Sequence, residues 1–271
     1  MKKALLAALL ISLISACATS PTGRKQFMLV SPESAILESK KAYLSTVSDF
    51  DQNDLLIDDP KTADRVATIT GRLVSEAVAL YPQTQSWEWS VAIVDDDETV
   101  NAWCMAGGRM AVYTGLFQQL KLTDDEFAQI MGHEISHALA NHTAERMSRA
   151  MATNLGVVAV GVASDQSALA LGGAALAAKV ALELPNSRTA ESEADQIGLE
   201  LATRAGYDPD AAVTLWQKMA EVGGGGRPAE FLSTHPSPAN RQAALAAMTA
   251  DARKLNPTGR LAAVHPVTIV R

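Results

Sequence analysis

Residues 133–137 read His-Glu-Ile-Ser-His. On a helix of about 3.6 residues per turn, histidines four positions apart lie about 40° from one another, so both imidazoles can meet one ion. Zinc suits such a pair. Glu134 stands about 100° from His133 and flanks the ion, where it can take a proton from an attacking water without itself being a ligand. An ordinary helix with two satisfied polar histidines is the plain alternative. The segment has its own start signal: Thr123 and Glu126 have the spacing of a capping box, and Phe127, Ile130, Met131, Ile135, Ala138 and Leu139 follow at helical intervals.

A catalytic zinc needs a third protein ligand and one exchangeable position. Glycine at 140 with histidine at 143 would supply one known solution, but those positions hold Ala140 and Thr143. His142 is nine positions from His133, about half a turn around a continuing helix, and so points elsewhere. The segment Glu191-Ser192-Glu193-Ala194-Asp195 offers better donors. Glu191 and Asp195 share a helix face, so one can ligate while the other accepts the free N–H of a ligating histidine; this favours Glu191. By spacing alone Glu193, Glu183 and Glu200 remain rivals.

These residues need a scaffold, and composition allows one. The chain has 271 residues, 48% of them hydrophobic, with a formal charge of −7. That sign argues against nucleic acid as a partner. Lys2 and Lys3 precede an apolar run ending Ala16-Cys17, which resembles a bacterial lipoprotein signal: 1–16 as signal peptide, Cys17 as the lipidated residue and membrane attachment, 17–26 as tether. Without Lys2 and Lys3 the 23 basic residues become 21 against 30 acidic ones, a formal charge of −9. Ala18 in place of Asp favours the periplasmic face of the outer membrane in a Gram-negative cell. Cys104 then lacks an intramolecular partner and is expected as a free, buried thiol.

Helical periodicity covers Ser31–Val47 and Thr62–Leu80. Trp87–Val94 reads as a strand and Ala102–Val112 as two more around Gly107-Gly108, with a solvated acidic loop at 95–98 between them. Further helices are expected within 150–184 and at about 189–204 and 209–221, with a glycine hinge at 223–226. The protease domain is placed at 27–256 and a tail at 257–271.

His133–His137 together with Ser-Arg-Thr-Ala-Glu-Ser-Glu-Ala-Asp at 187–195 resembles metallopeptidase family 48, the HtpX-, BepA- and LoiP-like group. Residues 21–31 are similar to the entry segment of its bacterial lipoprotein members, and 101–116 to their strand block. The resemblance implies an α+β, mainly helical, zincin-like (gluzincin) domain with a small sheet whose edge strand, within 101–106, pairs with extended substrate. It implies one zinc per chain held by His133, His137 and Glu191, with Asp195 supporting a ligand and Glu134 as general base. Phe231-Leu-Ser-Thr-His235-Pro236 is similar to a motif whose histidine can close the metal's fourth position, which makes His235 a reversible inhibitory ligand. Arg188 and Arg241 are expected to orient carboxylates or to form ordinary salt bridges. No tetratricopeptide period follows His235. The implied function is cleavage of unfolded or misassembled envelope proteins, with the outer-membrane assembly machinery as a possible partner; the alternative is a chaperone-like assembly factor that rarely cleaves.

Overall fold

In a computed structural model, residues 17–57, 59–163, 188–223, 230–235 and 240–271 are described. The signal segment 1–16, residues 164–187 with Glu183 among them, and the glycines 224–226 lie outside them.

Two long helices open the domain, α1 (Pro32–Gln52) and α2 (Pro60–Leu80). Each begins with proline at a position whose missing N–H has no helical partner, preceded by a capping side chain: Ser31 accepts from the Ser34 N–H and Asp59 from the Thr62 N–H. The stripe Val66, Ile69, Leu73, Val74 and Ala77 faces the core as its spacing predicts.

The principal sheet contains β3 (Ser90–Val94), β4 (Ala102–Met105), β5 (Arg109–Tyr113) and β6 (Thr268–Val270), in the spatial order β4-β5-β3-β6. β3 runs parallel to both β5 and β6, while β4 lies antiparallel to β5, with Ala102 opposite Val112 and Met105 opposite Arg109. Gly107 and Gly108 turn the β4–β5 corner at φ 89° and 82°, and a side chain at 108 would strike the Trp89 ring. β4 is thus an edge strand, in the interval where the sequence places it. The acidic loop stays at the surface, with the Asp96 carboxylate accepting from the Glu98 and Thr99 N–H groups.

Two boundaries differ from the sequence reading. The tail joins the domain, because Thr268-Ile269-Val270 adds β6 to the sheet; three residues are too few for alternation to reveal a strand. The supposed tether is an antiparallel hairpin of β1 (Cys17–Thr19) and β2 (Lys25–Phe27). Its polar residues resemble linker composition but bind the domain: Gln26 is buried and donates to Ala140 O at 2.7 Å.

After the short α3 (Gly115–Leu120), α4 (Asp124–Leu139) runs through the centre and packs on β4, α2 and α7 (Ala211–Gly223). Both hydrogen bonds of its capping box form. Asn141 takes a left-handed φ of 56°, which ends this direction of chain, and α5 (His142–Ala163) departs on a new axis. A helix α6 follows at 188–204, then α7, α8 (Glu230–Thr234) and α9 (Arg241–Ala252). Among the described residues, no helix is long and apolar enough to cross a membrane.

Candidate metal centre

The site forms where α4 and α6 touch backbone to backbone. A Cβ on Gly132 would lie 2.9 Å from Gly198 O, and one on Gly198 would lie 2.8 Å from His133 N. Two glycines therefore let the helix axes approach closely, and this carries the acidic face of α6 onto the histidine face of α4.

His133 and His137 aim Nε2 at a common point, the two nitrogens being 3.1 Å apart. Glu191 completes the group, with Oε2 at 3.3 Å from His133 Nε2 and Oε1 at 3.5 Å from His137 Nε2. His235, just beyond α8, brings Nδ1 to 3.3 Å from His133 Nε2 and 3.1 Å from Glu191 Oε2. Around an ion bound tetrahedrally at about 2.0–2.1 Å, neighbouring donors stand about 3.3–3.4 Å apart. The separations given lie close to that demand, and one donor atom from each of the four residues lies within 4.8 Å of the others.

The surroundings hold these donors in place. His133 Nδ1 is 3.0 Å from Asp195 Oδ1, and Asp195 in turn accepts from Arg241 Nη2. The Arg241 guanidinium carbon lies over Trp216, 3.6 Å from the ring centre, and Nη1 is 3.5 Å from Glu191 Oε2. His235 stacks on Phe231 at 4.4 Å, and the Phe231 N–H donates to Val100 O, so α8 is pinned to the approach of β4. Arg188 is exposed at the start of α6, and no ion pair joins it to a described carboxylate.

Charge follows from burial and partners. Burial alone would lower His133, but Asp195 and Glu191 raise it to about 9. His137 is pushed well below its ordinary value by burial and by the charge of His133. Burial works to raise Glu191, yet His133 and His235 hold it below the usual carboxylate range. Glu191 is thus an ionised carboxylate and His137 a neutral imidazole, the forms that bind a cation, while His133 gives up its proton when an ion enters. Glu134 is buried beside the cluster, and burial raises its carboxyl. Its Oε1 is 3.3 Å from His235 Nε2, but the angle is not that of a hydrogen bond and the oxygen has no such partner.

A cleft of about 410 Å³ opens over this group, its walls including Ala102, Trp103 and Cys104 of β4 and also Glu134, His137 and His235. Cys104 is a free buried cysteine, and burial pushes its thiol well above the ordinary value. It has none of the character of a nucleophile.

A family model, Peptidase family M48, matches residues 60–249, which include the histidine helix, the acidic helix and His235. The chain belongs to peptidase family M48. Within the family it is 37% identical to a mitochondrial metalloendopeptidase OMA1 of Arabidopsis thaliana over 172 residues, 64% of this chain and 34% of that one. The Bos taurus OMA1 metalloendopeptidase is 31% identical over 248 residues, 88% of this chain and 46% of that one. A beta-barrel assembly-enhancing protease of Escherichia coli K12 is 30% identical over 196 residues, 69% and 39%. The chain thus spans less than half the length of each of these three relatives. The α+β, mainly helical fold expected from the resemblance agrees with the structure and the family match.

Among the rival carboxylates, Glu193 points to the opposite side of α6 and meets His142, while Glu200 pairs with Arg204 on the surface. His142 is not a donor to the cluster, but neither does it point elsewhere: its Nδ1 is 2.9 Å from His137 Nδ1. The helical phase that turned it away does not apply, because the helix breaks at Asn141 before it. An asparagine directly after the periodic segment was the available signal. The Gly132–Gly198 contact had none, since a glycine within a helical pattern does not name its partner.

Proposed function

We propose that this protein is a zinc-dependent endopeptidase of the bacterial cell envelope that cleaves unfolded or misassembled membrane proteins and is held inactive by His235. The observation that carries this reading is the convergence of four metal-ligating side chains within 4.8 Å, with Glu134 beside them, in a cleft walled by an edge strand. His133, His137 and Glu191 are assigned as the resident ligands. Zinc, when bound, supplies a Lewis acid that polarises a carbonyl and acidifies a water.

The chain's own residues do the rest. Among the described residues no strand pairs with the outer side of β4, so an extended polypeptide can add to it as a further strand with little demand on sequence. Glu134, whose carboxyl is raised by burial, takes a proton from the attacking water and delivers it to the leaving amine. Asp195, braced by Arg241, keeps His133 turned toward the metal. His235 fills the fourth position and must leave before substrate enters. Cys17 is assigned as the lipid attachment, at the periplasmic face of the outer membrane. The naming of one relative as a beta-barrel assembly-enhancing protease supports outer-membrane proteins as substrates and their assembly machinery as a partner.

The position of His235 also favours a second reading, a factor that binds unfolded chains and rarely cleaves. Zinc content and casein cleavage of wild type, Glu134→Gln and His235→Ala separate the two. One zinc per chain, with cleavage lost in the first variant and raised in the second, is expected of the self-inhibited protease. Zinc without cleavage in any of the three favours the binding role, and a chain without zinc overturns the protease reading.

A further inference from the structure

The two histidines of α4 are supported from behind in different ways. His133 presents Nδ1 directly to the Asp195 carboxylate at 3.0 Å. His137 has an imidazole there instead: its Nδ1 lies 2.9 Å from His142 Nδ1, and the far nitrogen of His142, Nε2, lies 3.1 Å from Glu193 Oε2. His142 and Glu193 are both buried. Glu193 is gripped in turn by the hairpin, with Thr22 Oγ1 donating to Oε1 at 2.6 Å and Arg24 Nε donating to Oε2 at 2.7 Å. The remaining nitrogens of Arg24 donate to both oxygens of Glu145, at 3.0 and 2.7 Å.

Counting donors along this line sets both rings. A carboxylate only accepts, and a neutral imidazole has one donor and one acceptor nitrogen. Facing Glu193, His142 carries its proton on Nε2, which leaves Nδ1 as an acceptor. Facing that acceptor, His137 carries its proton on Nδ1, which leaves the Nε2 lone pair directed at His133, Glu191 and His235. One carboxylate thereby orients two imidazoles.

We propose that His142 and Glu193 are positioning residues that hold His137 in the tautomer and orientation required for metal binding, and that the N-terminal hairpin completes this support through Arg24 and Thr22. The inference rests on the cluster being a zinc site. It ties that site to the segment next to Cys17, so that ordering of the chain's N-terminal end and ordering of a metal ligand become one event. Loss of such a partner typically weakens metal binding about 10–100-fold.

The test is the zinc affinity of the purified full-length chain, measured by competition with a chromophoric chelator, alongside melting of the zinc-free protein. His142→Leu removes the acceptor and is expected to lose affinity about 10–100-fold. His142→Asn places an amide oxygen near the former Nδ1 and is expected to restore most of it. Arg24→Ala lies outside the cluster and is expected to give a smaller loss. Wild-type affinity in His142→Leu overturns the proposal, as does an equal loss in the Leu and Asn variants, which marks a packing effect. If melting shows that His142→Leu does not fold, Arg24→Ala decides: a reduced affinity in the folded variant supports the proposal and an unchanged one overturns it. Failure of the wild type to bind zinc overturns the metal-site reading itself.

Discussion

Adding one methyl group at Gly198 tests the contact on which the whole site depends. The new Cβ would stand 2.8 Å from His133 N and 2.9 Å from His133 Cα and Gly132 C. Non-bonded contacts of this kind settle at about 3.5–4.0 Å, so α4 and α6 must part by about 0.6–1.2 Å. The obstructing atoms are all backbone, and no rotamer change relieves them. Overpacking of this size costs about 1–3 kcal/mol. Less the gain of alanine over glycine in a helix, the net cost is about 0–2 kcal/mol, and at about 2–4 °C per kcal/mol for a domain of this class Gly198→Ala lowers the melting midpoint by up to about 8 °C. The sign is informative, because alanine in place of glycine within a helix otherwise stabilises by about 1 kcal/mol. Separation of the helices also moves Glu191 from the histidines by more than the about 0.2 Å tolerance of zinc bond lengths. Calorimetry with and without zinc reads both effects, and the deficit widens in zinc because the variant gains less from binding. A Gly198→Ala protein that melts at or above the wild type and keeps its zinc affinity refutes the reasoning.

Two further predictions concern the elements that bring the site together. Burial alone would raise Glu145, but Arg24, Arg149 and Gln26 lower its pKa from 4.5 to about 2. A depressed carboxylate stabilises the fold above its unfolded value and loses that contribution as pH falls toward the folded one, so the melting midpoint drops as pH falls from 4.5 to about 2. Arg24→Ala flattens that drop, and an identical slope in melts across this range contradicts the assignment. Thr123→Ala removes one arm of the capping box on α4 and destabilises by about 0.5–2 kcal/mol in denaturant titration with zinc affinity retained; no loss of stability would show that the cap is dispensable.

What the sequence determined by itself is local. The His-Glu-Ile-Ser-His spacing, the capping box of α4, the helical periodicity of α1 and α2, and the glycine corner before β5 all depend on hydrogen bonds and periodicities that close within a few residues. They were legible for that reason. Glu191 was preferred from an i, i+4 relation with Asp195, also a local property, although spacing could not exclude its rivals. What decided among them was tertiary. The cluster joins His133 to His235 across 102 residues and His235 to Glu191 across 44, distances over which sequence periodicity carries no phase. The turn at Asn141 reset the direction of His142, the docking of a polar hairpin made Glu193 a support for His142, and a three-residue tail segment became a sheet strand. Above all, the close approach of Gly132 and Gly198 determined which face of α6 meets the histidines. Where two backbones can touch is a matter of packing in three dimensions, and neither glycine carries its partner's address.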